Sequence, residues 1–262
     1  MEINVLWLYP DKMNLHGDRG NMMAIANIAD SLGIKLNIIR ANTASEAGDV
    51  SLADLIYIGP GQMGHMKNFT DDLRTIEADV KAYAENGGYF LIIGSSGCML
   101  SKNFTRYDGS VESGLGILDM TAKELDRTKM PYVTREVYGD DILFKTEDGM
   151  EIAGCQIQCM DFDLKNAQPF GKVIYGYGNN TMDGTEGARY KNVIFTNTVG
   201  PLFSLNPWLA VKILSDIAKK KGSDAEFDEN RVSYMDFAKE SIKLRKQFIK
   251  EKHKLPGICS EI

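Results

Sequence analysis

Short apolar runs alternate with longer amphipathic segments along the early part of the chain. The two longer segments, residues 20–33 and 70–88, space their apolar side chains as helices do, and each ends on glycine. The short runs are bounded by Gly, Asn or Pro and predict strands over residues 3–9, 35–42, 52–59, 89–94 and 191–200. This alternation predicts an α/β fold in three layers around a mainly parallel central sheet. Its ligand site is expected at the carboxyl ends of the strands.

The pattern changes after about residue 105. Up to residue 180, short segments such as "VTREVY" and "MEIAGCQIQ" are separated by Asp-Gly and Gly-Asp pairs, which is typical of antiparallel hairpins appended to the sheet. Asn206 as N-cap and Pro207 in the first turn predict a helix over 206–222. Residues 231–252 predict a charged amphipathic helix, either a solvated arm or a partner-docking helix. We therefore divide the chain into an α/β domain, 1–225, and a C-terminal helix and tail, 226–262.

Composition and charge indicate which kinds of partner are not expected. The chain has 262 residues and a net charge of −6, with 36 acidic and 30 basic side chains, and we find no cationic stretch that would neutralise many phosphates. Nucleic acid is therefore not expected as a partner. The N-terminus lacks a basic leader, and no run approaches the roughly 20 apolar residues of a membrane span. We expect a cytoplasmic protein.

Four cysteines are too few and too scattered for a disulfide framework: Cys98, Cys155, Cys159 and Cys259. Cys155 and Cys159 have no histidine near them in the sequence, because the three histidines are His16, His65 and His253, so the ligand spacing of a zinc site is missing. We predict neither a metal nor another cofactor.

The stretch "GSSGC", residues 94–98, follows the strand 89–94 and has the small residues of a strand–turn–helix elbow, on which α/β enzymes mount a nucleophile. Other distinctive segments stand before and after it. They are "LHGDRGNMMAI" (15–25), "YIGPGQ" (57–62), "GLGILDM" (114–120), "YGYGNNTMDGTEGARYKN" (175–192) and "GPLFSLN" (200–206).

In their order and spacing these segments resemble the class I glutamine amidotransferase-like family of the cobyric acid synthase type. The likeness is strongest to the glutaminase subunits of lipid II isoglutaminyl synthases and runs from about residue 3 to about 250. The resemblance implies a flavodoxin-like class I amidotransferase fold. It also implies a cysteine activated by a histidine, backbone N–H groups that stabilise the oxyanion, and ammonia passed to a Mur ligase-like, ATP-dependent synthetase.

At the positions that the resemblance assigns to this dyad, the chain carries Gly94 and Val199. Glycine has no side chain and valine cannot accept a proton, so both members of the dyad are missing. A further family segment that carries an acid and an imidazole reads "GCQIQC" here, with Gln156 and Gln158 at those two positions. The sequence therefore predicts a degenerate site.

Several side chains are candidate substitutes. Cys98 lies four residues beyond Gly94, about one turn into the expected helix, where a buried apolar role is favoured. Ser95 and Ser96 lie in the turn but need a base, and His16 shares the first loop with Asp18 and Arg19. His65 follows the "GPGQMG" loop, where the oxyanion donors are expected, and is a candidate on the same footing as His16.

The turn and the glycine-rich loop still offer N–H groups for a glutamine, another amino acid or a carboxylate. The expected ligand pocket comprises seven residues: Gly59, Gly61, Gln62, Ser95, Ser96, Gly97 and Gln156. Three hypotheses follow. The chain is a non-hydrolysing amidotransferase-like subunit of a Mur ligase-like synthetase, an enzyme with altered chemistry at Cys98, Ser95 or His16, or a free-standing small-molecule binding protein.

Overall fold

The computed structural model describes residues 1–125, 138–180 and 182–252, so most of "VTREVY", His253 and Cys259 lie outside the described residues. The strands are Glu2–Leu8 (β1), Lys35–Ala41 (β2), Leu55–Ile58 (β3), Tyr89–Ile93 (β4), Asn103–Thr105 (β5), Val111–Ser113 (β6), Met120–Glu124 (β7), Tyr138–Thr146 (β8), Glu151–Gln158 (β9), Met160–Leu164 (β10), Gly171–Tyr175 (β11), Thr185–Glu186 (β12), Ala188–Tyr190 (β13), Val193–Thr196 (β14) and Thr198–Val199 (β15). The α-helices are Arg19–Ser31 (α1), Met66–Arg74 (α2), Glu77–Glu85 (α3), Leu202–Leu205 (α4), Pro207–Lys220 (α5) and Met235–Lys252 (α6).

The central sheet has six strands in the order β13-β14-β4-β3-β1-β2. Every neighbouring pair is parallel except β13 and β14 at one edge. This confirms the predicted α/β fold with a mainly parallel sheet. Strands β3 and β4 are buried along their whole length, as expected where helices cover both faces of a sheet.

Successive side chains of β1 show that the central sheet has a helical layer on each face. Ile3 and Val5 belong to one buried cluster together with residues of α1 and α5. Leu6 and Leu8 belong to the cluster that includes Leu73 of α2 and residues of α3. Because successive side chains of a strand point to opposite faces, helices pack on both sides of the sheet.

Two smaller sheets come from the second half of the chain. One has four strands, in the order β10-β7-β5-β6, and the other has five, in the order β12-β11-β8-β9-β15. Their pairings are antiparallel except between β5 and β7. Phe162 of β10 packs with Phe195 of the central sheet, and Phe144 of β8 shares a cluster with α5. The appended strands therefore extend the same cores.

Two predicted elements are each divided in the structure. The predicted strand 191–200 becomes β14 in the central sheet and β15, which pairs with β9. Between them the Asn197 N–H donates to Glu186 Oε1 at 2.7 Å instead of to a ladder. The predicted helix 70–88 becomes α2 and α3, because the N–H and hydroxyl of Thr75 both donate to the Asp72 carbonyl, which closes the helix end.

The helix that begins at Pro207 also differs in detail from the prediction. Asn206 occupies the N-cap position, but its side chain makes no capping bond. Its amide instead exchanges hydrogen bonds with Ala153 of β9, at 2.9 Å to the N–H and 2.8 Å to the carbonyl. Asn206 therefore ties α5 to the five-stranded sheet.

One side of the C-terminal helix α6 packs against the five-stranded sheet, so the helix is not a free solvated arm. Ile242 and Ile249 pack on Leu143 and Ala153 of β8 and β9. Arg245 forms an ion pair with Asp141, and Lys246 pairs with Glu151 at 2.5 Å. Among the described residues, no helix combines the length and apolarity required to cross a membrane.

Candidate functional site

The turn after β4 has the backbone of a nucleophile elbow without the nucleophile. Gly94 has φ +63°, a left-handed conformation that side chains adopt only at a cost. Residues Gly94–Met99 form a 3-10 helix, and the chain then enters β5 at Asn103. The α-helix expected after the turn is therefore absent from this part of the structure, and Cys98 lies on the 3-10 turn.

Gly94 and Val199 lie side by side. A Cβ atom placed on Gly94 would lie 3.2 Å from Val199 Cγ1 and 3.1 Å from Pro60 Cβ. Val199 is held there by β15, whose register pairs it with Cys155 of β9. The fold thus brings together the two positions that the sequence resemblance assigns to the dyad, and neither residue has an ionisable group.

A cavity of about 680 Å³ opens beside this pair, at the carboxyl ends of β3 and β4. It lies at the edge of the sheet where strand order and direction predict a ligand site. Its lining residues are Leu15, His16, Pro60, Gly61, Gln62, Met63, Gly64, Ser95, Arg106, Tyr107, Glu124, Ile157, Cys159 and Val199.

Both serines of the turn bind the glycine-rich loop. Ser95 donates its hydroxyl proton to the Gly61 carbonyl at 2.6 Å, and Ser96 donates to the Gly59 carbonyl at 2.5 Å. Ser96 is fully buried, whereas Ser95 lines the cavity. In these bonds each hydroxyl donates to a carbonyl, which does not activate it as a nucleophile.

Cys98 is fully buried in an apolar cluster with Met99 and Leu100, and it does not line the cavity. Burial raises the pKa of its thiol far above the ordinary value, so the thiolate that a nucleophile requires is not formed near neutral pH. The structure thus favours the buried-filler interpretation of Cys98 over a displaced nucleophile.

Only three of the seven expected pocket residues line the cavity: Gly61, Gln62 and Ser95. The other four, Gly59, Ser96, Gly97 and Gln156, lie behind its wall.

Gln156 departs from the prediction because its amide is already engaged. Its Oε1 accepts hydrogen bonds from the N–H groups of Tyr177 and Gly178, both at 3.1 Å. Its Nε2 donates to the Gly178 carbonyl at 2.6 Å. Gln156 therefore fastens a loop to β9 and does not face the cavity.

The two candidate histidines occupy different places. His16 is exposed, has φ +59° and lines the cavity, and partial desolvation lowers its pKa. Because its pKa is lowered from an ordinary value near 6.5, the imidazole is mainly neutral at pH 7. His65 is exposed at the end of a 3-10 helix and does not line the cavity.

A buried carboxylate anchors the loop that carries His16. Asp18 accepts hydrogen bonds from the Tyr57 hydroxyl, at 2.8 Å to each oxygen, and from Asn21 at 3.1 Å. Burial raises the pKa of Asp18 to about 7. Asn21 Oδ1 also accepts from the Phe203 N–H at 2.9 Å, which ties this loop to the segment after Val199.

The cavity wall also contains an ion pair that was not predicted from the sequence. Arg106 Nε donates to Glu124 Oε2 at 2.7 Å, and the two side chains are only 16% and 5% exposed. Glu124 shares the buried face of β7 with Met120 and Ala122. A charged residue on the apolar face of an alternating strand was the signal in the sequence that could have identified this pair.

Two solved structures share this fold. The glutaminase domain of Trypanosoma brucei CTPS, solved with bound acivicin, matches with a TM-score of 0.55 at 10% identity, covering 87% of this chain and 97% of that chain. The PurLQS structure from Thermotoga maritima matches with a TM-score of 0.54 at 11% identity, covering 84% and 99%. The fold is that of the class I glutamine amidotransferases.

The chain belongs to the CobB/CobQ-like glutamine amidotransferase domain family, which matches residues 4–206. It is 30% identical over 221 residues to the Staphylococcus aureus (strain N315) lipid II isoglutaminyl synthase (glutamine-hydrolyzing) subunit GatD, covering 84% of this chain and 86% of the relative. The Streptococcus pneumoniae (strain ATCC BAA-255 / R6) protein of the same description is 28% identical over 226 residues, covering 86% and 84%.

Proposed function

We propose that this chain is a glutamine amidotransferase-like subunit that does not hydrolyse glutamine and that acts with a Mur ligase-like, ATP-dependent synthetase of cell-wall metabolism. The observation that carries the proposal is the position of Gly94 beside Val199 at the cavity, where a Cβ on residue 94 would lie 3.2 Å from Val199 Cγ1. An elbow backbone with neither thiol nor imidazole supplies no nucleophile and no base.

The synthetase partner is proposed from the relatives. Both are described as subunits of lipid II isoglutaminyl synthase, and the likeness extends over most of this chain and most of each relative. A subunit of this kind delivers its product to, or regulates, the subunit that performs the ATP-dependent step. Without ammonia production, the roles that remain for this subunit are to dock on the synthetase and to regulate it.

The cavity itself suits an amino acid or another carboxylate. Arg106 is the cation in its wall, and its Nε–H is committed to Glu124. The guanidinium carries further N–H groups in a fixed fork that matches a carboxylate. Bonding to Glu124 raises the pKa of Arg106, so the side chain stays charged throughout the working pH range.

The experiment is ammonia release from glutamine by the isolated protein. We expect none above background, because loss of a nucleophile and its base removes several orders of magnitude of rate. Cys98→Ala and Cys159→Ser are the matched controls, since Cys98 is buried and Cys159 is a thiol that lines the cavity.

Glutamine hydrolysis by the unmodified protein would contradict the proposal. Its loss in Cys159→Ser would then identify an altered chemistry at that thiol, and its loss in Cys98→Ala would assign it to the buried one. Binding is measured separately by calorimetry with glutamine and glutamate. Arg106→Leu is expected to weaken the binding of either by about tenfold or more, the usual size of a lost charge-assisted hydrogen bond.

A further inference from the structure

A second large groove lies far along the chain from the residues of the elbow. It has a volume of about 690 Å³ and runs between α6, the start of α5 and the turn that joins β8 to β9. Its lining residues are Gly149, Met150, Glu151, Trp208, Lys239, Ile242, Lys243, Lys246, Gln247 and Lys250. Met150, Trp208 and Ile242 are the apolar members of this lining.

The lysines form a stripe along one flank of α6. Lys239, Lys243, Lys246 and Lys250 are separated by four, three and four residues, so one lysine appears on each helical turn. At 1.5 Å per residue the stripe is roughly 16 Å long. Ile242 lies beside it and turns inward onto β8 and β9.

The groove differs in charge from the rest of the molecule. Its lining holds four lysines and one glutamate, and Glu229 and Glu240 pair with two of these lysines, so these seven side chains together carry a net charge of +1. The whole chain has a net charge of −6, and this local excess of positive charge favours an acidic partner over a basic one.

Three of these lysines already contact acids of this chain. Lys239 pairs with Glu229 at 2.7 Å, and Lys243 reaches Glu240 at 3.3 Å. Lys246 pairs with Glu151 at the inner edge of the groove. Exposed pairs of this kind contribute little free energy, and an ammonium group has three donors, so an incoming carboxylate can share the lysines.

We propose that this groove docks an acidic amphipathic helix of a partner protein. Carboxylates spaced one turn apart on that helix would meet the lysine stripe, while its apolar face would cover Trp208 and Met150, the half-buried apolar side chains of the lining. The proposal goes beyond the function proposed above and does not depend on whether the cavity hydrolyses glutamine.

The test uses a synthetic helical peptide of about 14 residues with Glu at four one-turn positions and Leu on the adjoining face. A matched peptide replaces each Glu with Gln. Binding is followed by tryptophan fluorescence, because Trp208 lines the groove whereas the other tryptophan, Trp7, is only 3% exposed. We expect the Glu peptide to bind and to weaken with added salt, and the Gln peptide to bind at least about tenfold more weakly.

Two protein variants separate the effect of charge in the groove from the effect of overall net charge. Lys243→Glu/Lys250→Glu should weaken Glu-peptide binding about tenfold or more, whereas Lys12→Glu/Lys35→Glu, with the same change in net charge, should leave it unchanged. All four lysines are exposed, so both variants should fold, which circular dichroism verifies. No binding up to about 1 mM, equal binding of the two peptides, or an equal loss in the control variant would overturn the proposal.

Discussion

Gly94 shows how one backbone angle determines what a position can carry. Its φ of +63° imposes strain on any L-residue, in the range of about 1–3 kcal/mol. An enzyme accepts that strain when the side chain performs chemistry. Where the side chain has no catalytic role, glycine removes the strain and keeps the turn. Under the proposed function, Gly94 therefore keeps the turn without the strain of a side chain at this position.

Replacing Gly94 by Ala should lower the free energy of unfolding by about 2–4 kcal/mol, through the strained angle and the contacts of a new Cβ at 3.1 Å from Pro60 and 3.2 Å from Val199. Gly33→Ala is the control, because Gly33 has φ +74° and nothing within 4 Å of its Cβ position. Urea unfolding of both variants separates the angle from the crowding. Equal losses would show that the contact with Val199 carries no cost.

At the scale of elements, periodicity predicted the early strands and the helix 20–33 to within a few residues, because amphipathic spacing and glycine ends are local signals. The predicted helix 70–88 was wrong in length, since it is divided into α2 and α3. The predicted strand 191–200 failed at Asn197, since local apolarity does not record which sheet a strand joins. The position of a cavity at the carboxyl edge of the sheet was also predictable. Arg106 and Glu124 were not found, because Arg106 follows β5, Glu124 ends β7, and the pairing of β5 with β7 brings them together in the cavity wall.

Substitutions of Asn206 test whether this residue caps α5 or links α5 to strand β9. Its amide satisfies both the N–H and the carbonyl of buried Ala153. Asn206→Ala leaves these groups unpaired and should reduce the free energy of unfolding by about 2–4 kcal/mol. Asn206→Ser keeps a capping hydroxyl but cannot span both groups, so we expect a similar loss. Recovery of stability in the serine variant, measured by thermal unfolding, would assign the role to capping.

At the scale of the whole molecule, the fold matches the family, whereas the residues at the two assigned dyad positions do not match the family's dyad. The family match covers residues 4–206, and the mainly parallel sheet, the left-handed turn after β4 and a cavity beside that turn are all present. The two positions that the sequence resemblance assigns to the dyad hold Gly94 and Val199. A molecule that retains the scaffold without the dyad remains suited to binding a ligand and a partner, since both depend on the surface and not on a nucleophile.

The corresponding prediction concerns a complex of this chain with the proposed synthetase. If this subunit supplies no ammonia, the complex should amidate its substrate with ammonium chloride as nitrogen donor and not with glutamine. Gly94→Cys/Val199→His should confer glutamine dependence, and each single replacement should not, because a nucleophile and its base act as a unit. The pair is also sterically coupled, since Val199 Cγ1 lies 3.2 Å from the Cβ position at residue 94 and histidine removes the β-branch that crowds it. Product formation is measured with each nitrogen donor. Glutamine-dependent amidation by the unmodified complex would show that the molecule makes ammonia without this dyad.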